Sequence, residues 1–108
     1  MLVVKTKFGF GYVVPKALVP KDADKSEYRK LLHPMCHSCG QTPYFFGFIE
    51  QEVSSKQAYV KWNGTTPYSD FEQYQRMCDT LQDGYKDMFG IFAKEKPDYI
   101  MFTDIIRE

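Results

Sequence analysis

The sequence has little of several things that mark specialised classes of protein. It has three cysteines, an odd number, among 108 residues, which argues against a secreted scaffold of paired disulfides. Its 14 basic and 14 acidic side chains cancel, so it lacks the excess of cations with which general nucleic-acid binders neutralise phosphates. Residues 1–4 are apolar, but Lys5 and Lys7 end this run well short of a signal peptide or a membrane span. We therefore expect a cytoplasmic protein that does not bind a membrane.

Catalytic motifs are also missing from the sequence. It contains no phosphate-binding loop, no His-Glu-x-x-His zinc motif and no Gly-x-Ser-x-Gly elbow. His37 lies between Cys36 and Cys39 and could activate either thiol as a nucleophile, but no third group is evident that would orient the imidazole. The sequence therefore predicts a protein that is not an enzyme.

Aromatic side chains are abundant by contrast. Eight Tyr, nine Phe and one Trp make up 17% of the chain, which is more than the core of one domain of this length needs. We expect residues 1–108 to form a single domain. Some of the rings must then lie on its surface, where exposed aromatic side chains are commonly contact points.

The central stretch, Tyr44–Tyr68, has the pattern of two β-strands. Phe45–Ile49 is aromatic and β-branched, and Ala58–Trp62 alternates between apolar and polar residues. The polar residues 54–57 would connect the two strands, and the Asn63-Gly64 dipeptide that follows is typical of a tight turn.

The remaining segments supply partners for this hairpin. Leu2–Val14 alternates and predicts a first strand, and Asp22 or Asp24 can begin a short helix that ends at about His33. Ser69 and Glu72 form a capping box for a helix to about Asp83, and Gly84 offers a left-handed stop before a second helical piece. Residues 99–106 predict a closing strand, whose apolar residues on both faces favour a central position in the sheet.

These elements predict an α+β fold: a small, strongly bent antiparallel sheet or SH3-like barrel with two to three accessory helices. The pattern Phe-Gly-x-Gly-x-Val at residues 8–13 resembles the first strand of the Tudor-like, SH3-fold barrels found in UvrD-type helicases and CarD-type transcription factors. A later strand of those barrels is similar to Ala58–Trp62. The resemblance implies a small barrel that docks on a protein, often RNA polymerase, or on nucleic acid. Residues 15–43 form an insertion that those barrels lack.

The segment from His33 to Gly40 is the most suggestive chemically. Cys36 and Cys39 form a Cys-x-x-Cys pair, a spacing that suits tetrahedral zinc. His33 or His37 is a candidate third ligand and Cys78 a candidate fourth. Strong zinc signatures carry two such pairs, however, and Cys78 also fits the apolar stripe of the helix that begins at Ser69. Two reduced thiols in a turn remain the simpler interpretation, so we expect no cofactor and keep zinc as an alternative.

Two functions from different classes are consistent with these patterns. The first is a non-catalytic interaction module, such as a regulator or inhibitor, that docks on a protein partner, for example part of the transcription or nucleic-acid machinery. Its candidate partner-binding residues are rings near the central hairpin: Tyr44, Tyr59, Trp62, Tyr68 and Phe71. Trp62 and Phe71 are equally consistent with core positions. The alternative is a small barrel that binds nucleic acid through the N-terminal third, because residues 1–30 hold seven Lys or Arg against three Asp or Glu. In this alternative Lys5, Lys7, Lys16 and Lys21 would contact phosphates, and aromatic rings would stack on bases.

The zinc alternative gives a first prediction. We expect the purified protein to be free of metal and a chelator to leave its melting temperature unchanged. About one equivalent of bound zinc, together with a melting temperature that falls on chelation, would show instead that the Cys36–Cys39 segment holds a structural metal. Metal analysis and thermal melts with and without chelator distinguish the two.

Overall fold

The computed structural model describes residues 2–36, 43–55 and 71–107. Four strands and one α-helix are present in these ranges: β1 (Leu2–Val14), β2 (Leu32–Pro34), β3 (Tyr44–Ser55), α1 (Phe71–Phe89) and β4 (Asp98–Arg107). Between β1 and β2 the chain makes three single turns of 3₁₀ helix, at Lys16–Leu18, Ala23–Lys25 and Arg29–Leu31. The predicted strand at 58–62 lies outside the described residues.

The strands form one antiparallel sheet in the order β2-β3-β1-β4. β1 is the long inner strand: it pairs with β3 from Val4 to Val14 and with β4 from Leu2 to Gly11. The sheet curls into a half-barrel, and α1 is the one α-helix in the part of the chain that the structure describes. The expected small, bent antiparallel α+β fold is confirmed at this level.

A β-bulge interrupts the pairing of β1 with β3. Phe8 lies opposite Gln51 and Gly9 opposite Ile49, so Glu50 is an extra residue in β3. An extra residue on one strand bends it and increases its twist. This bulge therefore contributes to the curl of the sheet.

Apolar side chains fill both faces of the sheet. On the face toward α1, which we call the helix-side face, the buried cluster consists of Phe10, Tyr12, Val14 and Phe46 from the strands, Ala23, and Cys78, Leu81, Tyr85 and Met88 from α1. On the opposite face Phe45 is fully buried and its ring contacts Phe102 of β4, with 5.3 Å between the ring centroids. The alternation of side chains along β1 and β3 thus supplies two apolar layers.

The predicted helix between Asp22 and His33 is wrong. Ser26 is extended rather than helical, and its hydroxyl accepts a hydrogen bond from the Tyr28 amide at 3.1 Å. A side chain that binds the nearby backbone in this way competes with helix formation. The chain therefore forms separate 3₁₀ turns, and residues 32–34 pair with β3 as β2.

The predicted break at Gly84 is also wrong, because α1 continues through it to Phe89. Gly84 is buried, and a Cβ atom there would lie 2.8 Å from the Tyr28 ring and 3.0 Å from the Phe46 ring. The glycine thus permits a close approach and does not end the helix. The end comes at Gly90, whose φ of 76° is left-handed. Within the described ranges, the two to three predicted accessory helices correspond to one α-helix and three 3₁₀ turns.

The position of Phe45 depends on glycine at residue 9. A Cβ atom at Gly9 would lie 2.5 Å from the tip of the Phe45 ring and 2.8 Å from the carbonyl oxygen of Phe48. Only a hydrogen atom fits there, so the ring can lie across β1 toward Phe102. The same ring also covers Gly47 of β3.

We therefore predict that Gly9→Ala lowers the free energy of unfolding by about 1–3 kcal/mol, the usual cost of overpacking a core. Gly90→Asn is the matched control, because nothing lies within 4 Å of a Cβ atom at this position and Asn tolerates the left-handed conformation. Denaturant unfolding of both variants measures the effect. Equal unfolding midpoints for the two variants would contradict the proposed role of Gly9.

Candidate functional site

Four large apolar side chains are exposed on the β4 side of the molecule. The exposed fractions are 75% for Phe71, 41% for Tyr99, 60% for Met101 and 51% for Ile105. Phe71 is the first residue of α1, and the other three belong to β4. We call these four residues the β4-side surface.

The pairing register explains why the three β4 residues share a face. Tyr99 lies opposite Phe10, Met101 opposite Phe8 and Ile105 opposite Val4. Directly opposite residues of an antiparallel pair point to the same side of the sheet. All three therefore lie on the helix-side face, in one row with Thr103.

The direction of α1 leaves most of this row uncovered. Near its start, Tyr74 contacts Phe10 with 5.6 Å between ring centroids, and Phe10 contacts Tyr99 at 5.1 Å. At its end, Phe89 contacts Phe46 of β3 at 5.4 Å. The helix thus runs from the β4 side toward β3, away from Met101 and Ile105.

β4 also lies at an edge of the described sheet. Of the described strands only β1 pairs with it, so its predicted central position stays a prediction. Both faces of β4 carry apolar residues, but the two faces differ in burial. Phe102 is buried on the opposite face, whereas Met101 and Ile105 on the helix-side face are exposed. A long edge strand with exposed apolar side chains is a template for binding another chain.

The predicted partner-binding rings are only partly placed by the structure. Phe71 is exposed, so its alternative interpretation as a core residue is wrong. Tyr44 is partly buried at the start of β3, opposite Val14 and Pro34, toward the β2 edge of the sheet. Phe71 lies at the end of α1 nearer β4, so these two rings do not form one surface. Tyr59, Trp62 and Tyr68 lie outside the described residues.

The candidate metal ligands are likewise separated. Cys78 is buried in the cluster on the helix-side face, whereas His33 lies on the opposite face, 6.1 Å from the Phe45 ring. The sheet lies between them, so they cannot complete one metal shell. Cys36 is partly buried just after β2, and Cys39 falls in the range that is not described. Among the described residues, no three His, Cys, Asp or Glu side chains come together as a metal site.

His33 itself is poorly suited to carry a charge. Burial lowers its pKa, and the nearby Lys7 ammonium lowers it further, while Glu52 acts in the other direction. Because the ordinary value is about 6.5, the imidazole is neutral at pH 7. His33 therefore adds no positive charge to this face of the sheet.

The lysines of the predicted nucleic-acid surface do not lie together either. Lys5 forms an ion pair with Glu52 at 3.8 Å, and Lys7 lies 6.0 Å from the centre of the Phe102 ring. Lys16 and Lys21 follow the far end of β1, after roughly 30 Å of extended strand at 3.3 Å per residue. The four cations therefore do not form one continuous patch.

No family model, no curated protein and no solved structure matches the chain. Within the described ranges, no helix is long and apolar enough to cross a membrane.

Sequence reasoning missed Tyr99, Met101 and Ile105 as contact residues. Their signal was the alternation of apolar residues at positions 99, 101 and 105, which was assigned to a buried face. Burial raises the pKa of Tyr99, and the neighbouring Glu50 carboxylate adds to the rise. The phenol is therefore neutral at pH 7, and the β4-side surface presents no charge of its own.

One buried polar atom of the described residues lies beneath the helix. Tyr12 is only 8% exposed, and its hydroxyl has no hydrogen-bond partner among the described residues. Burial raises the pKa of Tyr12 to about 12, and Cys78 adds to the rise, while the Gln82 side chain acts in the opposite direction. The interaction with Gln82 thus offsets only part of the hydroxyl's loss of solvation.

We therefore predict that Tyr12→Phe is neutral or stabilising by up to about 1 kcal/mol at pH 7, because it removes an unsatisfied buried group. The folded-state pKa lies above the unfolded value of about 10. The stability that Tyr12 contributes through its proton is therefore complete below pH 10 and is lost as the pH rises toward 12. Thermal melts at pH 7 and pH 11 should show a smaller alkaline loss for the variant. A marked destabilisation at pH 7 would mean that the hydroxyl has a partner.

Proposed function

We propose that this protein is a non-catalytic interaction module that binds a protein partner through the β4-side surface. The observation that carries the proposal is the exposure of Phe71, Tyr99, Met101 and Ile105 on one side of the molecule. Large apolar side chains exposed on one side of a protein commonly mark interaction sites. Phe71 retains the role expected of it from the sequence, and the three β4 residues extend that site.

The chemistry of the surface supports a protein partner over a nucleic acid. Protein interfaces concentrate aromatic residues and methionine at their centre and exclude charge there. The four residues have this composition. Binding to phosphates instead requires clustered cations, and Lys5 and Lys7 are separated along β1 from Lys16 and Lys21.

A finer description of the fold accompanies this proposal. The curled four-stranded sheet is consistent with an SH3-like, Tudor-like barrel in which a further strand completes the curl, and the sequence pattern at 58–62 is the candidate for it. Barrels of this class are binding modules, and the proposed function requires no cofactor. A role as a regulator follows if the bound partner changes its own activity.

A photo-crosslinking experiment tests the proposed surface. A photoreactive phenylalanine analogue replaces Phe71 in one form of the protein and Phe92 in another, because these two rings are 75% and 74% exposed. After irradiation in the host cell, we expect a crosslinked protein adduct of defined mass from position 71 and none from position 92. The two positions differ in location and not in exposure, so the comparison isolates the surface.

Substitutions then measure the contribution of single side chains. Phe71→Ala should weaken the captured complex by at least about 1–2 kcal/mol if the ring is a central contact, whereas Phe92→Ala should not change it. The double variant Lys5→Ala, Lys7→Ala should have little effect. Equal adducts from positions 71 and 92, or a complex that only the lysine variant abolishes, would overturn the proposal, and the second result would favour nucleic acid.

A further inference from the structure

We infer that a cleft between the 3₁₀ turn at Ala23–Lys25 and the last turns of α1 binds a small zwitterion, an α-amino acid with a short apolar side chain. The cleft has a volume of about 200 Å³. A water molecule occupies about 30 Å³ of liquid water, so the cleft has room for a molecule of amino-acid size. It is smaller than the pockets of about 300–1,000 Å³ that hold larger ligands.

This site is separate from the β4-side surface. Asp87 of α1 lines the cleft, whereas Phe71 is the first residue of the same helix. The two positions lie roughly 24 Å apart along the helix, at a rise of 1.5 Å per residue. The inference therefore goes beyond the proposed function and does not depend on it.

The turns that form one wall of the cleft are fixed in place. The Lys25 amide donates a hydrogen bond to the Asp22 carbonyl oxygen at 2.9 Å. A few residues later the Tyr28 ring lies against α1, where a Cβ atom at Gly84 would be only 2.8 Å from it. The cleft is thus formed in the absence of a ligand, which lowers the entropic cost of binding.

Part of the cleft is apolar. Ala23 and Met88 line it, and both are buried members of the cluster on the helix-side face. They present a small apolar surface next to the charged residues of the cleft. A short aliphatic side chain on the ligand would lose its contact with water here, which favours binding.

Charged residues of both signs line the same cleft. Asp22 and Asp87 contribute carboxylates, one from each wall, and Lys25 contributes an ammonium group. In the part of the chain that the structure describes, neither aspartate forms an ion pair with Lys25. The cleft therefore offers separate interactions to a cation and to an anion.

An α-amino acid carries both of the groups that these residues would bind. Its ammonium group has three donors for the carboxylates of Asp22 and Asp87, and such charge-assisted hydrogen bonds are stronger than neutral ones. Its carboxylate can accept from the Lys25 ammonium and from the Ser26 hydroxyl, which also lines the cleft. The Ser26 oxygen accepts a hydrogen bond from the Tyr28 amide at 3.1 Å, and its O–H can donate to the ligand.

A titration with L-valine tests the site. Amide chemical shifts of the ¹⁵N-labelled full chain are followed by NMR, and we expect saturable changes at residues 22–26 and 87–88. Valinamide keeps the ammonium group and lacks the carboxylate, whereas 3-methylbutanoate keeps the carboxylate and lacks the ammonium group. Each should bind at least about fivefold more weakly than L-valine, because each loses one set of hydrogen bonds to a charged group.

Two substitutions assign the two halves of the ligand to the two kinds of charge. Asp87→Asn should weaken the binding of L-valine and of valinamide at least about fivefold and should not weaken that of 3-methylbutanoate. Lys25→Gln should weaken L-valine and 3-methylbutanoate by a similar factor and should not weaken valinamide.

Asp83→Asn is the matched control for the substitution on α1. Partial burial raises the pKa of Tyr28, and the carboxylates of Glu27, Asp87 and Asp83 add to the rise, so Asp83 and Asp87 both face the same segment. Asp87 lines the cleft and Asp83 does not. Asp83→Asn should therefore bind L-valine like the wild type.

Three outcomes would overturn the inference. These are the absence of saturable shift changes at the cleft up to the solubility limit of L-valine, equal affinities for L-valine and its two singly charged analogues, and equal weakening by Asp83→Asn and Asp87→Asn. If a variant does not fold, the comparison of the three ligands on the wild type decides. Failure here together with a crosslinked adduct from position 71 would leave the proposed function standing, and L-valine binding without that adduct would leave this site standing alone.

Discussion

The close approach of β1 and β3 is the constraint on which the rest of the molecule depends. Gly11 faces Gly47 across the pair, and a Cβ atom at Gly11 would lie 2.2 Å from the Phe46 carbonyl oxygen. Because no side chain separates the backbones here, the Phe45 ring can lie over the glycines on one face while Phe46 contacts α1 on the other. The two apolar layers of the protein thus meet at one short segment of paired strand.

The orientation of α1 follows from the apolar layer on the helix-side face, and it determines which part of that face remains exposed. α1 is held where the rings of Phe10, Tyr12 and Phe46 rise from the helix-side face, with Tyr85 contacting Tyr12 at 5.1 Å and Phe89 at 4.7 Å. These rings lie toward the end of β1 at Val14. α1 does not extend over the β4 side of that face, where Tyr99, Met101 and Ile105 are exposed. Core packing and the candidate binding surface are therefore two results of one arrangement.

The sequence patterns predicted the individual strands better than the way these elements pack against one another. The alternation at residues 2–14, the aromatic run at 45–49 and the apolar run at 99–106 all correspond to strands, because side-chain period and residue type are local properties. The error at residues 22–33 came from Ser26, whose side chain binds the backbone at Tyr28 instead of allowing a helix. Gly84 was assigned to a helix end because a glycine that permits positive φ and one that admits a neighbouring ring look alike in sequence. The exposed row of β4 was assigned to a buried face because alternation does not reveal which face has a partner.

The bulge at Glu50 affects the curvature of the sheet without changing which side chains form the core. Side chains alternate between the two faces of the sheet along β3. Phe46 and Phe48 lie on the helix-side face before the bulge, and because of the extra residue Gln51 and Val53 lie on that face after it. A chain without residue 50 would still pair Gln51 with Phe8, and every other side chain would keep its face. What such a chain would lose is the bend. The contribution of the bulge to the curl of the sheet thus depends on one residue. Its insertion or deletion changes the bend and leaves the same side chains in the core.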